Sequence, residues 1–419
     1  MPPFRMLSMP TRPFRAVAMF AALVAVAACR GEDALVNAPV RVEDEAPTAS
    51  AGASTPYLTA GADGTVWMSW MERGADSAWV LRAARRPASG RWSEPVVVVR
   101  DSLIFANWAD FPSLAIDAKG RVIAHFLRRS APGKYSYHVW ITTSADSGAT
   151  WSAPQRLHRD TSASEHGFAA LVPQPDGSTF AAWLDGNATG GESGAMNLGF
   201  GVVDSTLRVR PDTMLDTRVC DCCQVAGART GGGGALFAYR NRSADEVRDI
   251  AVVRFDEGRW SPPAVVHADG WVTRACPVNG PALSSRDQGV ALAWFTNARD
   301  TAKVQLAFST DRGATWSAPV RVDDGAPLGR VDVEYLSDGG ALVTWMEQTG
   351  KGAADVRAKR VRSDGVLSAA TVVSATSDAR SAGFPRIAAV SDTAIYVAWR
   401  EMTNPARLRL TQLRVPGGR

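Results

Sequence analysis

The sequence has no run of Lys or Arg and almost no net charge. Its formal +4 includes Arg5, Arg12 and Arg15, all ahead of Cys29, so the remainder is nearly neutral. Without a basic stripe there is no electrostatic footprint for a phosphate backbone, which excludes nucleic-acid binding as the main role. Long apolar runs are lacking too. The longest, residues 16–28, has thirteen residues, too few for a bilayer core that needs about 20. A His-Glu-x-x-His zinc-protease motif, a nucleophile elbow and a P-loop are all absent, which removes three ready-made chemistries. What is present is 37 Gly, 24 Pro and 14 Trp. Many turns and many aromatic anchors favour a β-rich chain over a helical one. With 46% hydrophobic and 21% charged residues, disorder is excluded for the chain as a whole.

The chain opens with a basic segment, the short apolar run and then Cys29, which reads as an export signal. Val26-Ala-Ala-Cys29 resembles a bacterial lipobox. That resemblance implies a lipoprotein signal peptide over residues 1–28, cleavage before Cys29 and acylation of its thiol. Arg30 stands where an inner-membrane retention aspartate would be, which points to the outer membrane. Residues 29–55, rich in Ala, Glu, Asp, Pro and Ser, read as a flexible tether. The membrane is therefore expected as a partner only through the lipid anchor, and the propeller of residues 56–419 as a monomer.

One pattern recurs through those residues: a Gly or Asp turn, an apolar alternation, an aromatic residue and then polar residues. The aromatic anchors are Trp70, Phe126, Trp183, Tyr239, Trp294, Trp345 and Trp399, spaced 51 to 57 residues apart. So regular a period marks a repeat architecture. Strict alternation excludes helical repeats, and each unit has room for four short strands. Four-stranded units arranged around an axis make an all-β propeller, with seven blades favoured and six the alternative. The last unit runs out after three strands. Val36-Asn-Ala-Pro-Val-Arg-Val42 echoes Trp316-Ser-Ala-Pro-Val-Arg-Val322, so the segment near 36–42 is expected to supply the missing outer strand.

Two turns carry the spacing Ser-x-Asp-x-Gly-x-x-Trp: Ser144 to Trp151 and Ser309 to Trp316. Eroded copies lie at residues 88–92 and 256–260. These resemble the Asp-box, or bacterial neuraminidase repeat, of the sialidase superfamily, and the fuller resemblance is to sialidase-like secreted proteins. It is carried by Phe105-Ala-Asn-Trp-Ala-Asp-Phe-Pro112, Glu165-His-Gly-Phe168, Cys220-Asp-Cys-Cys-Gln224, Cys276-Pro-Val-Asn-Gly-Pro281 and Gly329-Arg-Val-Asp332. For Asp146, Trp151, Asp311 and Trp316 the resemblance implies a structural role in the turn. Sialidases use an arginine triad, a Tyr/Glu nucleophilic pair and an Asp acid/base, with a Phe-Arg-Ile-Pro motif near the start. Here that motif is absent, Phe384-Pro-Arg-Ile387 having another order.

Alternating strand direction puts the Asp-box turns on one face and the other quoted segments at the channel mouth on the opposite face. Candidate catalytic groups there are Glu165, His166, Asp110 and Asp332. Candidate ligand-binding groups are Trp108, Asp185, Arg240, Arg242, Arg248, Asp249, Asn279 and Arg330, with Asp221 beside them. Carboxylates, guanidinium groups, an imidazole and an indole at one mouth point to a polar, glycan-type ligand, and paired arginines can grip a carboxylate. The competing reading is a glycoside hydrolase of the exo-sialidase type acting on acidic glycans. Cys220, Cys222, Cys223 and Cys276 are open to two readings: disulfides, the default for an exported protein, or a thiolate site for copper or zinc. No cofactor is otherwise required.

Overall fold

The computed structural model describes residues 36–42, 46–187 and 194–416, with residues 1 and 3. Cys29 and the apolar run of residues 16–28, on which the expected export signal rests, lie outside the described residues. Among those described, the chain forms seven antiparallel sheets, and its only helical pieces are three-residue turns at Gly231–Gly233, Ala298–Asp300 and Arg380–Ala382. Blades 1 to 6 occupy residues 54–101, 113–156, 166–219, 226–265, 282–321 and 327–376, and the strands pair in chain order, save that Ala264–Val265 in blade 4 pairs back with Ile250–Asp256. The seventh comprises residues 386–414 and Val40–Val42, which pairs antiparallel with Arg407–Arg414, Val40 opposite Arg414 and Val42 opposite Gln412. Thr411 Oγ1 donates to Val42 O at 2.6 Å. Blade 7 thus joins an early segment to the last strand, which leaves no blade short of an outer strand.

Alternation within a strand explains why blades pack on both sides. In Val122–Arg129, the second strand of blade 2, Val122, Ala124 and Phe126 join a core with Trp67, Met71 and Leu81 of blade 1. Ile123 and Leu127 point the other way, into a core with Ala181 and Trp183 of blade 3. Each strand therefore contributes to two interblade layers, as its two-residue period requires.

The period also explains the polar residue after each anchor, because residues two apart share a face. The indole Nε1 of Trp70 donates to Glu72 at 2.6 Å, that of Trp183 to Asp185 at 3.1 Å and that of Trp345 to Glu347 at 2.6 Å. In blade 5 the residue two beyond Trp294 is Thr296, and Asp269 from the preceding loop accepts instead, at 2.7 Å.

The two octapeptide turns are built alike. Asp146 accepts Ser144 Oγ at 2.8 Å, Thr150 N at 2.9 Å and Thr150 Oγ1 at 2.6 Å, and Asp311 does the same with Ser309 and Thr315. Gly148 and Gly313 have φ of 88° and 82°. A Cβ on either would come within 2.8 Å of Trp67 or Leu236 in the preceding blade, so backbone conformation and close approach both call for glycine. Trp151 and Trp316 pack into the adjoining interblade cores.

Candidate functional site

The segments ahead of each innermost strand meet around the axis, and most of their polar groups bond to the next blade. Asp110 of blade 2 accepts Phe168 N of blade 3 at 2.8 Å. Gln224, ahead of blade 4, donates to Ala109 O at 2.7 Å and accepts Gly280 N at 2.8 Å. Asn279 accepts Arg330 N of blade 6 at 2.7 Å and donates to Leu328 O at 3.2 Å. Asp332 accepts Ile387 N of blade 7 at 2.9 Å and pairs with Arg386 at 3.1 Å. The Arg386 guanidinium lies 4.7 Å from the ring centre of Tyr57 in blade 1.

The arginines follow the same rule. Arg240 is 1% exposed and donates to Asn279 O, Phe295 O and Arg248 O at 2.6 to 3.0 Å. Arg330 donates to Asp378 O, Ala379 O and Gly383 O at 3.0 to 3.2 Å, beneath the Trp108 ring at 5.2 Å. Burial lowers its pKa to about 10. Arg242 and Arg248 are held by Glu246 at 3.0 Å and lie 3.6 and 3.2 Å from Asp221. Asp249 accepts Gly270 N and Trp271 N. Arg330, a candidate ligand-binding group, is buried with its donors on carbonyl oxygens: buried carbonyls need donors, and a guanidinium supplies several at once. Of the candidate residues, Trp108, Glu165 and Asp221 keep part of their surface in solvent.

Glu165 has a partner that the sequence reading did not single out. Tyr137 opens the third strand of blade 2, where the alternation reads simply as core, and its hydroxyl lies 2.5 Å from Glu165 Oε1 and 3.2 Å from Asp110 Oδ2. One phenol proton cannot serve both carboxylates. Asp110 is buried, and burial pushes its carboxyl well above the ordinary range, which favours the neutral acid beside the Tyr137–Glu165 hydrogen bond. Desolvation likewise raises Glu165 to about 7.

A raised folded-state pKa favours the protonated carboxyl. Its contribution to stability is complete below the unfolded value of 4.5 and is lost as pH rises through about 7. For a partly exposed group the difference amounts to about 2 kcal/mol. Urea midpoints at pH 5 and pH 8 should differ less in Glu165→Gln than in the wild type. An equal difference in the two proteins would show that Glu165 does not titrate this way.

Cys222 and Cys276 form a disulfide between blades 4 and 5, while Cys220 and Cys223 are buried thiols with their sulfurs 3.4 Å apart. Arg248 Nη1 lies 3.2 Å from Cys220 Sγ. Contact with Cys223 and the Arg248 charge outweigh burial and lower Cys220 to about 7. On the axis itself is a cavity of about 100 Å³. Residues from all seven blades line it, including Tyr57, Asp110, Phe168, Gln224, Asp332 and Arg386.

No protein-family model matches this chain, and no curated protein sequence does. Solved structures do. A lectin from Burkholderia pseudomallei aligns with a TM-score of 0.61 at 14% identity, over 88% of this chain and 97% of the lectin. An ulvan lyase, from a new family of polysaccharide lyases and bound to -[GlcA(1-4)Rha3S]-, aligns at 0.55 and 12% identity, over 88% and 95%. A Hadza microbial sialidase aligns at 0.49 and 15% identity, over 80% and 73%. What the lectin and the lyase share with this chain is the fold, and at these identities the likeness shows the fold alone.

Proposed function

We propose that the protein binds a carbohydrate where the innermost strands begin, using Trp108, Glu165 and Asp221. The observation that carries this reading is a partly exposed carboxyl, Glu165, poised near neutral pH and held by Tyr137. On the same face lies a half-buried indole, Trp108, stacked on Phe384 at 5.9 Å and backed by the Arg330 charge. An aromatic face with a few fixed polar groups suits a sugar ring. The lectin and the polysaccharide lyase support the same class of ligand on this fold. Binding is preferred to sialidase-type hydrolysis because the Tyr137 side chain is 0% exposed. A substrate meeting this Tyr/Glu pair finds a carboxyl and no phenol. We also place the protein in the cell envelope through a lipid on Cys29, a reading that rests on the lipobox-like Val26-Ala-Ala-Cys29 and that radioactive fatty-acid labelling of wild type and Cys29→Ser tests.

Titration with a sulfated glucuronate–rhamnose oligosaccharide, sialyllactose and a neutral oligosaccharide should produce saturable binding to one of them, seen as a change in tryptophan fluorescence. Trp108→Ala should weaken it about tenfold, as losing about 1.4 kcal/mol of ring contact requires. Absence of binding to all three at millimolar concentration would discard the carbohydrate face. Release of free sugar would replace binding with hydrolysis.

A further inference from the structure

The sequence has five histidines, and three of them meet inside the wall between blades 2 and 3. His138 lies in the third strand of blade 2, Tyr137–Ser144, and His158 follows its outer strand, Gln155–Arg156. His166 opens the inner strand of blade 3, His166–Pro173. Ring centres of His158 and His166 are 3.9 Å apart, those of His138 and His158 4.8 Å, and those of His138 and His166 5.1 Å. One ligand-capable nitrogen from each falls within 4.8 Å of the others, and the three side chains are 3%, 2% and 0% exposed.

The surroundings are those of a ligand set rather than of plain packing. Asp160 Oδ2 lies 3.1 Å and Asp185 Oδ2 3.6 Å from His166 Nε2. His138 Nε2 donates to Ser162 O at 2.9 Å, which fixes the ring and leaves Nδ1 as the nitrogen with a lone pair. Neither ring nitrogen of His158 has a hydrogen-bond partner, although the residue is almost fully buried. Buried polar groups are nearly always paired. Burial favours the neutral form of an imidazole, which is the form that coordinates a metal. Arg159, Thr161, Ser162 and Ala163 above it are exposed, so a short loop separates the cluster from solvent.

We propose that His138, His158 and His166 bind a divalent transition-metal ion of the zinc class between blades 2 and 3, with Asp160 orienting His166 beside it. Three imidazoles suit zinc, cobalt, nickel or copper in the divalent state, whereas calcium and magnesium prefer oxygen alone. Asp185 holds the blade 3 side of the site, since it also accepts the Trp183 indole. The site does not depend on the carbohydrate reading, although His138 and His166 adjoin Tyr137 and Glu165 in the chain.

The test is titration of the chelator-treated protein with zinc by calorimetry and with cobalt by visible absorption. One equivalent of metal should bind at about 1 µM or tighter. The cobalt complex should show d–d bands without thiolate charge transfer, and zinc should raise the melting temperature. His158→Phe keeps a ring in the stack and removes both nitrogens. It should weaken binding on the order of 100-fold while unfolding cooperatively in the absence of metal, and Asp160→Asn should weaken binding less. Wild-type protein that binds no metal overturns the proposal, as does undiminished binding in His158→Phe. A thiolate–cobalt band lost in Cys220→Ser also overturns it, and moves the metal to the cysteines.

Discussion

Arg240→Met is expected to destabilise the protein by about 5 kcal/mol, seen in guanidinium unfolding as a lower midpoint with an unchanged slope. Arg240 ends the second strand of blade 4 and carries four hydrogen bonds to three carbonyls: Arg248 O in its own blade, and Asn279 O and Phe295 O in blade 5. Its guanidinium also covers the Trp271 ring at 4.8 Å. Met replaces the aliphatic stem and much of that ring contact, so the loss measures the donors. Each carbonyl left buried without a donor costs about 1–3 kcal/mol, partly offset because a charge no longer has to be desolvated. Arg240→Lys retains the charge and one nitrogen and should fall between. A loss below about 1 kcal/mol for Met would mean that water replaces the guanidinium and that Arg240 does not fasten blades 4 and 5.

Trp345→Ala should cost about as much for a different reason. The indole is 0% exposed and packs among Val304, Phe308, Val331, Val343 and Val361 of blades 5 and 6. Emptying such a site costs roughly 3–5 kcal/mol. Truncation also takes a donor from Glu347, a carboxylate only 3% exposed that accepts the indole and Ala326 N, each at 2.6 Å. Trp345→Phe separates the two contributions. It refills most of the volume and leaves the carboxylate short of a donor, for a loss of about 1–3 kcal/mol. If Phe and Ala prove equally damaging, the hydrogen bond rather than the packing dominates, and the repeat of indole and carboxylate two residues apart is the main fastening device of these blades.

At the candidate site, legibility varied residue by residue. Trp108, Glu165 and Asp221 keep part of their surface in solvent. Arg240, Asp249, Asn279 and Arg330 have their polar atoms committed to backbone partners. The acceptors of Arg240 are 8, 39 and 55 residues away in the chain. Carbonyl oxygens leave no mark in a sequence, since every residue has one. Tyr137 was hidden because a tyrosine in an alternating strand reads as core. The histidine cluster was hidden because His138, His158 and His166 belong to three separate strands or turns.

The sequence by itself determined the propeller. A two-residue alternation makes strands, glycine and aspartate make turns, and an aromatic anchor every 51 to 57 residues counts the blades. Those signals are local, set by each residue's own backbone and its neighbour two positions on. Which of the four cysteines paired, whether a mouth arginine faced a ligand or a carbonyl, and which carboxyls burial pushes upward were decided by the tertiary structure. Each depends on distance and burial across blade boundaries. In a ring those are fixed only once Val40–Val42 has joined Arg407–Arg414 and all seven inner strands share one axis.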